Sequence, residues 1–135
     1  MDITLSVGQI MTKELVSVKA SDAVSSAIGA MTEHNIGCVI VTKDGKPEGI
    51  ITERDILKRV CPERLCTQGI TAGEAMSKPI IHIGSDAGIG QASALMTQKG
   101  IRRLLVLENG RTVGIVTQKD VMKATLNIFM TLASL

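Results

Sequence analysis

Short runs of apolar, β-prone residues alternate along this chain with stretches whose apolar positions fall at helical spacing. Ala23, Ala27, Ile28, Ala30 and Met31 lie on one helical face behind Asp22, which predicts a helix capped by Asp22 and ending near Asn35. Cys38-Val39-Ile40-Val41 then predicts a short buried strand, Asp44-Gly45 a hairpin turn and Gly49-Ile50-Ile51 the returning strand. Leu104-Leu105-Val106-Leu107, Asn109-Gly110 and Val113-Gly114-Ile115-Val116 predict the same hairpin with the stronger turn signal. A short strand precedes each long helix, Val16-Ser17-Val18 and Ile81-His82-Ile83. A helix from about Glu53 to Val60, and another from about Gln118 onward, follows each hairpin. The predicted unit is β-α-β-β-α, present twice.

The duplication is also visible residue by residue. Gly49-Ile50-Ile51-Thr52-Glu53-Arg54-Asp55 recurs 65 positions later as Gly114-Ile115-Val116-Thr117-Gln118-Lys119-Asp120. Set without gaps, Met31–Val60 and Met96–Thr125 agree at ten of thirty positions, where composition alone would give roughly two. Met11-Thr12-Lys13 answers Met76-Ser77-Lys78, and Ser21-Asp22 answers Ser85-Asp86. Two repeats follow, at 7–60 and 72–125, joined by a linker at 61–71 and followed by an apolar extension of the last helix at 126–135. A lone repeat is near the size at which burial barely offsets chain entropy, so residues 1–135 are expected to form a single module.

Composition narrows the function. Phe129 is the only Phe, Tyr or Trp in the chain, so the core must be built from Ile, Val, Leu, Met and Ala, and aromatic platforms for single-stranded nucleic acid are lacking. A formal charge of +2 with no basic run argues against nucleic-acid binding of any kind. No apolar run reaches the roughly 18 residues of a membrane span, and no leader peptide opens the chain. Three cysteines, an odd number, read as reduced thiols of a cytoplasmic protein, with a Cys61–Cys66 redox pair as the lesser alternative. No nucleophile with its base, carboxylate pair or metal-ligand set is legible, so an enzyme is not expected.

The order β-α-β-β-α, with Gly-apolar-apolar-Thr-x-x-Asp at the last strand-to-helix junction of both copies, resembles the cystathionine β-synthase (CBS) domain, and the tandem resembles a CBS pair, or Bateman module. The resemblance covers about residues 7 to 125. It implies an α+β fold in which two repeats pack sheet to sheet about a pseudo-twofold axis, clefts that take adenosine-containing ligands, and pairing of modules into a homodimer. It also implies that the base slides between the first strand and the start of the second. By position that points to Ser17, Ile36 and Gly37 in the first copy, and to His82, Ile101 and Arg102 in the second.

The chemistry of the junction can be argued without the family. A Thr followed three residues later by Asp at a helix start is a capping arrangement that needs no ligand. A helix N-terminus also suits phosphate, and a carboxylate can accept both hydroxyls of a ribose diol. Like charges keep the acid off the phosphate. Asp55 and Asp120 are therefore expected on ribose, and Thr52 and Thr117 on phosphate. Gly49 and Gly114 serve the backbone under either reading, through close approach or unusual dihedrals.

Charge separates the copies: residues 7–60 hold seven basic and seven acidic side chains, residues 72–125 seven and four. Lys99, Arg102 and Arg103 stand where the first copy has His34, Gly37 and Cys38. Alternation along a strand sends Arg102 and Arg103 to opposite faces, so one is expected to grip phosphate, and the pattern does not choose which. Arg54 and Lys119 are further phosphate candidates. Ile128, Phe129 and Leu132 are expected to be buried against the core or a dimer mate. The expected protein senses AMP, ADP or ATP, requires no cofactor, and acts through an unidentified regulated partner protein. The alternative is a dimerisation module indifferent to ligand.

Overall fold

A computed structural model describes residues 5–61 and 69–135. The elements run α1 (Val7–Ile10), β1 (Ser17–Lys19), α2 (Val24–Glu33), β2 (Cys38–Lys43), β3 (Lys46–Thr52), α3 (Glu53–Asp55), a π turn (Ile56–Val60), α4 (Ala72–Ala75), β4 (His82–Gly84), α5 (Ile89–Lys99), β5 (Arg103–Glu108), β6 (Arg111–Thr117) and α6 (Gln118–Ala133). The fold is α+β, with two three-stranded sheets ordered β1-β2-β3 and β4-β5-β6. In each sheet the first pair is parallel and the second an antiparallel hairpin. Both hairpins turn on two residues of positive φ, Asp44 (52°) with Gly45 (77°) and Asn109 (51°) with Gly110 (76°), as a two-residue turn matched to strand twist requires.

The two sheets also share an irregularity. Val41 pairs with Gly49 and Thr42 with Pro47, while Val106 pairs with Gly114 and Leu107 with Thr112, so Glu48 and Val113 are extra residues at matching bulges. Beside each bulge lies the glycine of the repeated motif, and its role is close approach. A Cβ on Gly49 would lie 2.9 Å from the Ser77 carbonyl oxygen and 2.5 Å from Met76 Sδ. On Gly114 it would lie 2.8 Å from the Thr12 carbonyl oxygen and 2.6 Å from Met11 Sδ.

Those neighbours reveal an exchange that the periodicity does not show. The chain divides into two compact units, one made of Leu15–Ile80 and the other of Met1–Glu14 with Ile81–Leu135. The leader of each repeat thus completes the unit of the other. In the first unit Ala72, Ala75 and Met76 join Val24, Ala27, Met31, Val39, Val41 and Ile51 in one buried cluster. In the second, Val7 joins Ala92, Met96, Leu104, Val106, Val116 and Val121. Backbone bonds fix each leader: Ser77 exchanges bonds with Ile50 (2.8 and 3.0 Å) and Thr12 with Ile115 (2.8 and 2.9 Å).

The leaders explain where the elements depart from expectation. Ala23, not Asp22, is the N-cap of α2. The leader of the second repeat pairs here, Ala23 with Thr71, and the Ile70 carbonyl takes the Val24 N–H at 2.9 Å, so no side-chain cap is needed. The Asp22 carboxylate instead accepts the Lys19 N–H at 2.9 Å. The helix expected over Glu53–Val60 is one α turn followed by a π turn. Helix α6 does extend through the apolar tail, but Phe129 is 66% and Leu132 44% exposed, while Ile128 is half-buried. The tail's apolar side chains are therefore not a core element of this chain. Cys66 lies outside the described residues, as do residues 62–68 of the linker.

Candidate functional site

Each strand-to-helix junction is a reciprocal capping box. In the first repeat the Thr52 hydroxyl accepts the Asp55 N–H at 3.3 Å, and Asp55 Oδ2 accepts the Thr52 N–H at 2.9 Å. In the second, the Thr117 hydroxyl accepts the Asp120 N–H at 3.1 Å and Asp120 Oδ2 accepts the Thr117 N–H at 2.9 Å. Half of each carboxylate is thus engaged by the helix start, as the ligand-free reading of the motif requires. The first N–H of each helix is also engaged, Glu53 to the Gly37 carbonyl at 3.1 Å and Gln118 to the Arg102 carbonyl at 2.8 Å. Those bonds bring the loop before the second strand to the capping box, joining Gly37 to Thr52 and Asp55, and Arg102 to Thr117 and Asp120. The Arg54 and Lys119 amides are the first-turn donors that these bonds do not use.

Around the acids the repeats diverge. Asp55 is only 7% exposed. Its Oδ2 also accepts the Thr52 hydroxyl at 3.1 Å, and its Oδ1 accepts the Ser77 hydroxyl at 2.7 Å. Arg59, on the π turn, approaches the same oxygen at 3.9 Å and donates from Nη1 to the Met76 carbonyl at 2.7 Å and the Ala75 carbonyl at 3.3 Å. Asp120 is half-buried, and among the described residues no hydrogen bond reaches its Oδ1. By repeat position Thr12 stands for Ser77 and Ala124 for Arg59. Neither Ser77 nor Arg59 is legible as a site residue in the sequence. The available signal was the repeated Met-Thr-Lys and Met-Ser-Lys, which marks the leader without saying where it folds.

The remaining candidates are spread over both repeats. Arg103 is the first residue of β5 and pairs in register with Thr117, so the two side chains share one face of the sheet. Arg102, one residue earlier and exposed, lies before the strand and lines a cleft of about 240 Å³ with Ser93, Thr97, Ile101, Gln118 and Val121, between α5 and α6. Thr117 and Asp120 do not line that cleft. Its volume is below the roughly 300–1,000 Å³ of ordinary small-molecule sites. Ser17 and His82 are exposed and occupy equivalent register positions, opposite Ile40 and Leu105. Ile36 packs against the first core and Ile101 against the second. Arg54 and Lys119 are exposed on the first helical turns.

No group of three or more His, Cys, Asp and Glu able to hold a metal occurs among the described residues, and no helix there is long and apolar enough to cross a membrane. The CBS domain matches this chain twice, at residues 7–61 and 72–127. An uncharacterised protein of Methanopyrus kandleri is 34% identical over 122 residues, covering 89% of this chain and 62% of that protein. The CBS domain-containing protein YhcV of Bacillus subtilis is 31% identical over 115 residues, covering 85% and 81%. Among solved structures, a putative signal-transduction protein with CBS domains from Burkholderia ambifaria superposes with a TM-score of 0.85 at 26% identity, covering 91% of this chain and 95% of that one. The chain spans less than two thirds of the Methanopyrus relative's length, and 31% of an uncharacterised Methanocaldococcus jannaschii protein to which it is 33% identical.

Proposed function

Because the chain belongs to the CBS-domain family and carries two such domains in tandem, we propose that it is a regulatory module that binds an adenosine nucleotide of the AMP, ADP or ATP class and passes its occupancy to a partner protein. The observation that carries this reading is the Thr117–Asp120 junction. There the capping bonds consume one carboxylate oxygen and leave the other beside a helix start, where it can accept ribose hydroxyls. The Lys119 amide, the Thr117 hydroxyl and Arg103 across the strand pair supply donors for phosphate, with the helix dipole in support. The 16-residue α6 places its dipole behind the Lys119 amide, the first-turn donor that the Arg102 and Thr117 bonds leave unused. Base contacts fall to Arg102, whose carbonyl the Gln118 N–H holds at the junction, and to Ile101 and His82.

Calorimetric titration with AMP, ADP, ATP, S-adenosylmethionine and NAD tests the reading. At a hundredfold excess over its dissociation constant, a true ligand adds about 2.7 kcal/mol of stability. Silence toward all five defeats it.

A second reading, a dimerisation module indifferent to nucleotide, is favoured by one observation. Met122, Leu126, Phe129 and Met130 recur at helical spacing on α6 and are 56–66% exposed, an apolar stripe suited to a second copy of the chain. Light scattering across protein concentrations, with and without nucleotide, separates the two. The stripe predicts a dimer, and the nucleotide reading predicts a response to ligand.

A further inference from the structure

We propose that the two junctions are unequal: Asp55 is committed to a structural latch that holds residues 75–77, so a nucleotide takes only the Thr117–Asp120 junction, and Ser77 with Arg59 decides this. The inference rests on the reading that the module binds a nucleotide, and deepens it by assigning the site.

A carboxylate offers two oxygens, and a ribose diol needs at least one of them free. At Asp55 both are occupied, Oδ2 by the Thr52 N–H and hydroxyl and Oδ1 by the Ser77 hydroxyl at 2.7 Å, with Arg59 close to the same atom. The acid is 7% exposed, so a ligand must first displace a charge-assisted bond at a buried atom. That bond is not isolated. Ser77 is fixed by its backbone exchange with Ile50, Met76 lies on Gly49, and Arg59 ties the Ala75 and Met76 carbonyls to the π turn. Displacing Ser77 therefore strains the segment that completes the first core.

At Asp120 the leader is held by the same backbone exchange and methionine contact, but the side-chain restraints made by Ser77 and Arg59 do not recur. Thr12 makes the same backbone exchange with Ile115, yet no bond from its hydroxyl to Asp120 occurs among the described residues, and Ala124 stands where Arg59 would be. Helix geometry agrees. The first junction opens a single α turn that passes into a π turn, whereas the second opens a continuous helix of 16 residues.

The test combines stoichiometry with thermal melts of the whole chain, using ATP and AMP as probes. The wild type is expected to bind one nucleotide per chain. Asp120→Asn should raise Kd at least about tenfold, the loss of one charge-assisted acceptor, with a smaller change in Tm than Asp55→Asn. Asp55→Asn should lower Tm by roughly 5 °C while leaving Kd within about twofold. Ser77→Ala, a milder change that spares the capping box, should lower Tm and leave Kd unchanged. Two nucleotides per chain, or a Kd that rises in Asp55→Asn or Ser77→Ala but not in Asp120→Asn, overturns the assignment. No binding by the wild type defeats the functional reading and the assignment with it. The latch is judged separately by the melts, and equal Tm values for Asp55→Asn, Ser77→Ala and wild type overturn that part.

Discussion

The first and second repeats build the same junction to within a few tenths of an ångström and then use it differently. Both have a Thr-x-x-Asp box closed by bonds of 2.9 to 3.3 Å, both have a bulge opposite the same strand position, and both lay a leader methionine against a motif glycine. They differ in what approaches the far side of the acid. In the first repeat a serine and an arginine close it; in the second a threonine and an alanine leave it open. Seven identical or similar residues in a row thus specify the helix start. What surrounds Asp55 is decided by Arg59, four residues on, and by Ser77, 22 residues on and brought in by the exchanged leader.

The largest effects are expected where the repeats are most alike. Gly49→Ala and Gly114→Ala should each cost about 2 to 3 kcal/mol, because the new Cβ meets a backbone carbonyl fixed by paired bonds as well as a flexible thioether. Urea melts of the two variants check this, and a marked inequality between them would show that one leader is held more loosely than the other. Arg59→Ala should cost about 1 to 2 kcal/mol. Its bonds to the Met76 and Ala75 carbonyls account for most of that, since an ion pair at 3.9 Å with a half-exposed arginine contributes less than about 1 kcal/mol. A salt titration of the wild-type melt sharpens the point: a weak dependence on ionic strength supports the carbonyl bonds as the main term.

Smaller still, Asn109→Ala should cost about 1 kcal/mol, because Asn109 sits at φ 51° where an alanine is disfavoured, and Asp44→Ala at φ 52° should match it. Asn109→Gly should be neutral within about 0.5 kcal/mol. The least effect belongs to the tail: Phe129→Ala should change the stability of an isolated chain by less than about 0.5 kcal/mol, because the ring is mostly exposed. A loss that grows with protein concentration would place the ring in contact with another copy.

Much of this was legible because helix and strand periods, and turn chemistry, are local. The α2 and α5 helices, both hairpins with their two-residue turns, and the continuation of α6 through an uncharged tail all follow from neighbouring residues. What failed was any feature with a distant partner. Asp22 has the chemistry of an N-cap, but a carbonyl from Ile70 supplies the bond that such a cap would have made. Phe129 and Leu132 read as buried against the core or a dimer mate, yet they lie outside the buried cluster of their own unit and are exposed on α6, so only a partner copy could cover them. Arg59 carries no signal, since an exposed basic residue is ordinary anywhere, and the repeated Met-Ser-Lys marks Ser77 as part of the leader without naming Asp55 as its partner.

By itself the sequence determined the α+β class, the duplication, the family and the reciprocal capping at each junction, because these depend on identities within a few residues. Only the tertiary structure decided which leader completes which unit, why the motif begins with glycine, and that Asp55 and Asp120 have different surroundings. The physical reason is range: a carboxylate's availability depends on every donor within hydrogen-bond reach, and for Asp55 the deciding donor lies 22 residues further along the chain.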